Sequence, residues 1–234
     1  MSGHGFFVTG TDTGVGKTLA SSALLHAFAS LGYRVIGMKP VAAGAVQNGN
    51  IRSHEDVIQL IAAANVEADP SWINPYLLRQ AIAPHIAADH QGVNIELPKI
   101  RDAYEHLAAL AEVVVVEGVG GFKVPLSATH DSADLASLLK LPIILIVGMR
   151  LGCLNHALLT AEAINVRGLK LAGWVANQLD PDMTAYDENL TALRLRLHCP
   201  LLAEFPFTLK PNALSMSALI APKKLSELLD KRLN

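Results

Sequence analysis

Short apolar runs recur along the chain, and longer helical patterns separate them. Because each run is apolar on both faces, it suits a strand of a parallel sheet that helices cover on both sides. The strand candidates are FFVTG (6–10), RVIGMK (34–39), VVVVEG (113–118), IILIVG (143–148), LAGWVAN (171–177) and LLAEFP (201–206). The helical patterns lie at about 17–31, 54–64, 98–111, 133–140, 154–167, 184–197 and 222–232. Gly32 and Gly168 follow two of these patterns where a helix would end. The alternation predicts an α/β fold with a mostly parallel β-sheet flanked by helices.

The composition is that of a compact globular chain. Hydrophobic residues make up 51% and charged residues 17% of the 234 residues, unlike the polar, highly charged composition of disordered proteins. No linker or repeat divides the sequence, so residues 1–234 are predicted to form a single domain. The segment from Asp69 to Gly92, which contains three prolines, is predicted to be a long irregular insertion that helps to cover a site.

Charge and hydropathy restrict the expected partners. The 19 basic and 21 acidic residues give a net charge of -2 without a block of like charge, so no nucleic acid or membrane surface is expected as a partner. The longest apolar run, at 142–149, is far shorter than the ~20 residues of a membrane-spanning helix. No export signal is visible, and Cys153 and Cys199 are expected to be free thiols in a reducing compartment. We therefore expect a cytoplasmic protein with small-molecule ligands.

The stretch GTDTGVGKT, Gly10 to Thr18, follows the first strand candidate and opens the first helical pattern. In that position backbone N–H groups and the helix N-terminus form a cradle for phosphates, which the glycines allow to approach closely. The usual pattern has four residues before Gly-Lys-Ser/Thr, whereas five separate Gly10 from Gly16. Lys17 is predicted to reach the β- and γ-phosphates, and the Thr18 hydroxyl to bind Mg²⁺. A turn without a ligand would explain the glycines but not the Gly-Lys-Thr triplet. The expected fold is that of a P-loop NTPase.

Two carboxylates are candidate metal ligands. Glu117 closes the apolar run VVVVEG, where a charge is costly unless it is paired or bound to a metal. Since ligands of open α/β sheets lie beyond the carboxyl ends of the strands, Glu117 should face the same crevice as the phosphate loop, with Mg²⁺ as its partner. A carboxylate that points into water is the alternative. Asp56, at the start of a helical pattern, is by itself equally consistent with a capping or first-turn acid.

A polar cluster closes the fifth strand candidate. The amide of Asn177 can pair in two-point fashion with a base edge such as that of adenine. Asn177, Gln178 and Asp180 also resemble the Asn-Lys-x-Asp base reader of GTP-binding proteins, with glutamine in place of lysine. A plain turn is the third interpretation, because Asn and Asp favour turns. The sequence leaves the nucleotide base open.

Seven segments occur in an order that resembles one enzyme family. They are VTGTDTGVGKT, GMKPVAAG, NPY, PHI, VVVVEGVGG, LPIILIVGMRLGCLNHALLTAEAI and GWVANQ. Together they closely resemble dethiobiotin synthetases over residues 6 to about 207, and the longer phosphate loop is that family's form. The resemblance implies ATP-dependent closure of a ureido ring, in which 7,8-diaminononanoate, CO₂ or bicarbonate, and ATP give dethiobiotin, ADP and phosphate. It also implies a cytosolic homodimer that acts in biotin synthesis.

The resemblance further implies roles for individual residues. Lys39, with Lys17, would be catalytic beside the carbamate and the γ-phosphate, and Mg²⁺ would be held by Thr18, Asp56 and Glu117. The residues implied around the phosphates are Gly14, Val15, Gly16, Lys17, Thr18, Leu19, Gly118, Val119 and Gly120. Those implied around the base are Asn177, Gln178, Pro206, Phe207 and Thr208. Those implied to hold the carboxylate tail of substrate bound to the neighbouring subunit are Leu151, Gly152, Cys153, Leu154 and Asn155.

Two positions depart from the family pattern. Members often carry an acidic residue where Gly14 stands, and a serine near the substrate where Ala43 stands. Loss of that hydroxyl removes one hydrogen bond, typically worth ~0.5–1.5 kcal/mol net. Weaker substrate binding is therefore expected, with the metal and phosphate positions intact.

Other classes of protein fit the sequence less well. A nucleotide-switch or partition ATPase would use Lys-Gly-Gly-x-Gly-Lys-Thr, but Asp12 stands at the position of the first lysine. A cobyrinate or cobyrate amidating enzyme would need an additional glutaminase domain, for which the chain has no room. The nine histidines show no metal-ligand spacing with the cysteines, and no Gly-x-Ser-x-Gly turn occurs, so zinc and serine-hydrolase chemistry are not expected.

Overall fold

A computed structural model of the protein describes residues 4–48 and 51–230. Its strands are β1 (His4–Gly10), β2 (Val35–Met38), β3 (Val41–Ala43), β4 (Val46–Asn48), β5 (Ile51–Ser53), β6 (Tyr76–Leu78), β7 (Val113–Gly121), β8 (Ile143–Met149), β9 (Leu171–Gln178) and β10 (Leu201–Phe205). Its helices are α1 (Lys17–Ser30), α2 (Glu55–Ala63), α3 (Pro70–Ile73), α4 (Pro84–Gln91), α5 (Leu97–Leu110), α6 (Ser132–Leu139), α7 (Cys153–Val166), α8 (Tyr186–Arg196), α9 (Ala213–Ser217) and α10 (Pro222–Asp230).

The central sheet has six strands in the order β10-β9-β8-β1-β7-β2, and all neighbouring strands run parallel. These are the six strands that the sequence predicts, so the predicted α/β class is confirmed. Strand β1 lies between β7 and β8 at the centre of the sheet. The carboxyl ends of these strands therefore border the crevice where open α/β sheets bind their ligands.

Successive residues of the central strands enter opposite layers of the core. Phe6 and Val8 of β1 pack in the layer with α1, α9 and α10, whereas Phe7 packs with α5 and α6 on the other face. In β7, Val115 and Val116 divide in the same way. Both faces of the sheet are thus buried, which is why these strands are continuous apolar runs without a polar face.

The predicted helices are all present, with ends within two residues of the prediction in the described part of the chain. The last two residues of the helix predicted at 222–232, which corresponds to α10, lie outside the described residues. Gly32 and Gly168 have φ angles of 89° and 68° beyond α1 and α7, as predicted for helix ends. Cys153 and Cys199 are not joined in a disulfide. No helix among the described residues is sufficiently long and apolar to cross a membrane.

The prediction of an irregular insertion from Asp69 to Gly92 is wrong. This segment contains α3, β6 and α4, and β6 pairs in parallel with β3. Pro70 and Pro84 stand at the beginning of their helices, where a missing N–H costs nothing. The segment is joined to the chain that follows β2, since the carbonyl of Ile73 accepts a 2.8 Å hydrogen bond from the Lys39 backbone N–H.

Candidate active site

The predicted phosphate loop connects the end of β1 to the beginning of α1. Gly16 is the N-cap of α1 with a left-handed φ of 89°, and a Cβ at this position would overlap the side-chain nitrogen of Asn177. Glycine is therefore required at 16 for both conformation and space. Gly14 is also left-handed, with a φ of 73°, but a Cβ there would meet no atom within 4 Å. A side chain at 14 has room, and only the backbone conformation favours glycine.

A cavity of about 370 Å³ lies beside this loop, at the carboxyl end of the central strands. It collects residues from distant parts of the sequence, namely Thr13, Gly14, Gly16, Lys17, Thr18, Lys39, Ala43, His54, Asp56, Glu117, Val119 and Gly120. The structure thus brings together most of the residues predicted for the phosphates, the metal and catalysis, whereas Val15, Leu19 and Gly118 are not part of the lining. A larger cavity of about 660 Å³ lies between the α4–α5 connection and residues 126–130, and none of the predicted site residues lines it.

Lys39 is the centre of a buried ion network. It follows β2 directly, and its Nζ donates to Oε1 of Glu117 at 2.5 Å and lies 2.7 Å from Oδ2 of Asp56. The Thr18 hydroxyl donates to the same Glu117 oxygen at 2.8 Å. Glu117 is fully buried, so the alternative in which this carboxylate points into water is wrong. Strand β7 also continues to Gly121, beyond the predicted end of the run.

The groups of this network stabilise each other's charged forms. Burial opposes the charge on Lys39, but the carboxylates of Glu117 and Asp56 outweigh burial and raise its pKa above the ordinary value. Burial likewise acts to raise the pKa of Asp56, and the ammonium of Lys39 overcomes it, so that the pKa is lowered. The site therefore contains one cation and at least one anion in direct contact at neutral pH.

The residues predicted to hold Mg²⁺ fit a hard cation. Oε2 of Glu117 is a buried carboxylate oxygen with no hydrogen-bond partner, and such an oxygen is costly unless a cation contacts it. The carboxylate of Asp56 contacts the ammonium of Lys39, and the hydroxyl of Thr18 contacts the carboxylate of Glu117. Among the described residues, no group of three or more His, Cys, Asp or Glu side chains could hold a metal. Phosphate oxygens and water would therefore complete the shell, as is usual for Mg²⁺.

Lys17 is the second buried cation of the cavity. Its Nζ donates to the carbonyl of Asp12 at 3.0 Å, and neither Glu117 nor Asp56 forms a salt bridge with it among the described residues. Burial, together with repulsion from Lys39, lowers the pKa of Lys17 from 10.5 to about 8. Without a phosphate ligand, this lysine is thus partly neutral in mildly alkaline solution.

ATP binding is therefore expected to take up protons above about pH 8. Bound polyphosphate would stabilise the charged ammonium of Lys17 and raise its pKa again. Above pH 8 the free protein must first protonate Lys17, so ATP binds more weakly as the pH rises through 8. Calorimetric titration with ATP at about pH 8.5, in two buffers of different ionisation enthalpy, measures the uptake. The Lys17→Met variant should lose it. A binding heat that does not depend on the buffer in the wild-type protein would contradict this expectation.

The residues predicted around the base lie together at the ends of β9 and β10. The side-chain nitrogen of Asn177 donates to the Val15 carbonyl at 2.9 Å, so it ties the phosphate loop to β9. The side-chain oxygen of Gln178 accepts a 3.4 Å hydrogen bond from the Phe207 backbone N–H. Pro206, Phe207 and Thr208 are exposed beside it. Asn177 thus has a structural role in addition to the predicted contact with a base.

The residues predicted to hold the substrate carboxylate lie apart from the cavity of their own chain. Leu151 is 95% exposed, Gly152 is the left-handed N-cap of α7 with a φ of 94°, and Asn155 is exposed. The cavity lining described above contains no residue between 151 and 155. Arg150, directly before them, forms a 2.8 Å salt bridge with Asp12 of the phosphate loop. Within one chain, therefore, the structure does not bring this segment and Lys39 into a common cavity.

His54 lines the cavity, and the sequence analysis did not identify it. It is the N-cap of α2, where its Nδ1 accepts a hydrogen bond from the Asp56 backbone N–H at 3.2 Å. Its Nε2 consequently carries the proton and donates to the Ala43 carbonyl at 3.1 Å. His54 therefore connects the helix of Asp56 with the strand of Ala43. Its position at the first residue of the helical pattern was the available signal, but histidine is not among the preferred N-cap residues.

The cavity and its ion network occur in a chain with many similar relatives. The family described as an AAA domain matches residues 4–213. The ATP-dependent dethiobiotin synthetase BioD of Nitrosospira multiformis is 53% identical over 218 residues, which cover 93% of this chain and 95% of that protein. Enzymes of the same name from Aromatoleum aromaticum and Ralstonia nicotianae are 55% and 53% identical, over 86% and 88% of this chain and 89% and 90% of their own lengths.

Solved structures resemble the fold at low sequence identity. The MinD cell division protein of Aquifex aeolicus has a TM-score of 0.56 and 12% identity, with 99% of each chain covered. The cell division ATPase MinD of Pyrococcus furiosus has a TM-score of 0.55 and 16% identity, with 98% of this chain and 99% of that chain covered. At these identities the likeness concerns the fold alone. The family match makes residues 4–213 an AAA domain. The much higher identity to the three enzymes, over nearly the whole length of each pair of chains, shows that the chain belongs to the family of ATP-dependent dethiobiotin synthetases.

Proposed function

We propose that this protein converts 7,8-diaminononanoate, CO₂ and ATP into dethiobiotin, ADP and phosphate, the penultimate step of biotin synthesis. The observation that carries the proposal is the convergence of Lys17, Lys39 and the carboxylates of Asp56 and Glu117 in one cavity beside the phosphate loop. Family membership supports an ATP-dependent ligase that forms dethiobiotin. The cavity supports the finer steps, because it offers separate groups for phosphates, a metal ion and a carbamate.

The proposed reaction has three steps. One amine of the substrate attacks CO₂ and loses a proton, which gives a carbamate. A carbamate oxygen then attacks the γ-phosphorus of ATP, so that the bond to the β-phosphate oxygen breaks and ADP leaves. The second amine attacks the carbon of this carbamic-phosphoric anhydride, phosphate leaves, and the ureido ring closes. Negative charge accumulates around the γ-phosphate and the carbamate in the second step, and fixed cations at that position lower the barrier most.

The chain's own residues serve these steps as follows. Lys17 and the N–H groups of the phosphate loop bind the β- and γ-phosphates. Lys39 orients the carbamate toward the γ-phosphate and stabilises its charge. Thr18, Asp56 and Glu117 hold Mg²⁺, which would supply positive charge to the phosphate oxygens when it is bound. Gly118 belongs to the same crevice, because its carbonyl accepts a 3.2 Å hydrogen bond from Nζ of Lys39.

The remaining assignments concern the base, the dimer and the location. Asn177, Gln178 and residues 206–208 would surround adenine at the ends of β9 and β10. Residues 151–155 would bind the carboxylate of substrate held by the second subunit of a cytoplasmic homodimer. Residues 1–234 would act as a single domain. Asp12, at the position of the additional lysine of partition ATPases, speaks against a switch function despite the likeness in fold to MinD.

The Glu117→Gln variant is expected to need more Mg²⁺ for activity. An amide replaces a hard anionic oxygen, so Mg–ATP binds more weakly, even though Thr18 and Asp56 remain. Activity is measured as Mg²⁺ is titrated at a fixed ATP concentration. The matched control is Glu112→Gln, which changes an exposed carboxylate at the amino end of β7 whose ion pair is with Arg34. An unchanged Mg²⁺ midpoint in Glu117→Gln would leave Glu117 as only a structural partner of Lys39.

The proposed function itself is tested by mass spectrometry. Purified protein is incubated with diaminononanoate, bicarbonate, ATP and Mg²⁺, and the product is sought at the mass of dethiobiotin. Omission of diaminononanoate or of bicarbonate should abolish both the product and the phosphate release that accompanies it. Phosphate release that does not respond to either substrate would instead indicate a switch ATPase, and the proposal would fail.

A further inference from the structure

The ammonium of Lys39 bridges the carboxylates of Glu117 and Asp56, two of the three proposed metal ligands. Its Nζ is 2.5 Å from Oε1 of Glu117 and 2.7 Å from Oδ2 of Asp56, and only 3% of the residue is exposed. The Thr18 hydroxyl donates to the same glutamate oxygen. The proposed metal ligands are therefore already engaged with one another or with a buried cation of the protein, but Oε2 of Glu117 still has no hydrogen-bond partner.

A divalent ion that enters this site must compete with the ammonium group. Two cations at such distances from the same oxygens repel each other strongly in a buried site. A divalent ion at the unpartnered Oε2 of Glu117 would lie beside the ammonium, so its binding carries the cost of this repulsion unless the ammonium leaves at least one carboxylate. An ammonium that leaves becomes a buried charge without a counter-ion, which is costly. When nucleotide and carbamate are bound, their oxygens supply a new anionic partner for Lys39. Without them, the only other acceptor described for its Nζ is the Gly118 carbonyl, which is neutral.

We propose that Lys39 makes the site selective for a metal–nucleotide complex over the free metal ion. In the empty protein, the lysine acts as an internal cation that neutralises Glu117 and Asp56 and excludes free Mg²⁺. The phosphates bring their own metal and, with the carbamate, draw the ammonium away toward the reacting atoms. Binding of the nucleotide and the carbamate thus moves Lys39 away from the carboxylates of Glu117 and Asp56 and toward the reacting atoms. This inference rests on the proposed function, because it takes Thr18, Asp56 and Glu117 as the metal ligands.

The test measures binding of Mn²⁺ alone to the full-length protein in the absence of nucleotide, from the electron paramagnetic resonance signal of the free ion. The Lys39→Met variant removes the charge and keeps a side chain of similar length. It should bind Mn²⁺ at least about tenfold more tightly than the wild-type protein. In the Lys39→Met/Glu117→Gln double variant, most of this gain should disappear.

Lys17→Met is the matched control. Lys17 is also buried and interacts electrostatically with Lys39, Glu117 and Asp56, but its Nζ donates to a carbonyl oxygen and forms no salt bridge with either carboxylate among the described residues. Its removal should change Mn²⁺ affinity by less than about threefold. An equal gain in both lysine variants would mean a general effect of charge and would overturn the proposal. If Lys39→Met does not fold, Lys39→Gln provides the same comparison, because its amide is neutral.

A further titration separates this inference from the proposed function. The wild-type protein and Lys39→Met are titrated with Mn²⁺ in the presence of ATP. Mn²⁺ binding with ATP in both proteins, but no gain for Lys39→Met without ATP, would overturn the role of Lys39 and leave the proposed function intact. Absence of Mn²⁺ binding in every titration would also remove the proposed metal ligands.

Discussion

Replacement of Lys39 by alanine is expected to lower turnover by a factor on the order of 10³ or more, while Mg–ATP still binds. In the proposed reaction, the phosphate loop and Lys17 would bind the phosphates of the nucleotide, whereas Lys39 would act on the charge that develops between the carbamate and the γ-phosphate. Glu117 and Asp56 raise the pKa of Lys39 despite its burial, so its charge is fully present at neutral pH. The rate of dethiobiotin formation and the calorimetric affinity for Mg–ATP measure the two effects separately.

The Lys39→Ala variant needs a control for folding and for the loss of a charge. Removing one partner of a buried ion pair costs roughly 3–5 kcal/mol of stability, so thermal unfolding with and without Mg–ADP must show that the variant is folded during the assay. Lys123→Ala removes a lysine from a half-exposed pair with Asp131 after β7, where such pairs contribute little, and should keep nearly normal turnover. Near-normal turnover in folded Lys39→Ala would refute a catalytic role for this lysine.

The central sheet could be predicted from the sequence because its strands carry their own signal. A parallel strand buried on both faces must be apolar throughout, and the run VVVVEG of β7 shows this directly. The short elements between Val41 and Leu78 carry no such signal. Strand β6 has three residues, and its pairing with β3 joins segments more than thirty residues apart. Pro70 and Pro84, two of the three prolines that suggested an irregular segment, in fact begin helices, which local patterns alone do not reveal.

The sequence predicted individual residues of the site but not the contacts between them. The glycine loop, Lys39 and Glu117 stand out through motif, position and resemblance, and the structure places them in one cavity. No local pattern pairs Lys39 with Glu117, since 78 residues separate them. That contact depends on β2 and β7 being neighbours in the sheet. The role of His54 depends in the same way on the position of Ala43, which is fixed by β3.

The position of residues 151–155 bears on how many chains form one active site. The N-terminus of a helix suits a carboxylate, and α7 begins at Cys153 directly after the exposed residues Leu151 and Gly152. These residues do not line the cavity of Lys39 in their own chain. The salt bridge between Arg150 and Asp12 nevertheless fixes them beside the phosphate loop. In the proposed homodimer, a second copy of the chain would place this helix end opposite a substrate bound at Lys39.

Mixing two inactive variants is therefore expected to restore activity. Lys39→Ala lacks the catalytic ammonium, and Asn155→Asp sets a negative charge against the substrate carboxylate, so each homodimer should be poorly active. If the two are unfolded together and refolded, each heterodimer has one site with both defects and one with neither. Random pairing then leaves about one quarter of all sites intact. Turnover is measured after separation confirms heterodimers, with each variant refolded alone as control. A mixture no better than the mean of its parents would place Asn155 and Lys39 in the site of the same subunit.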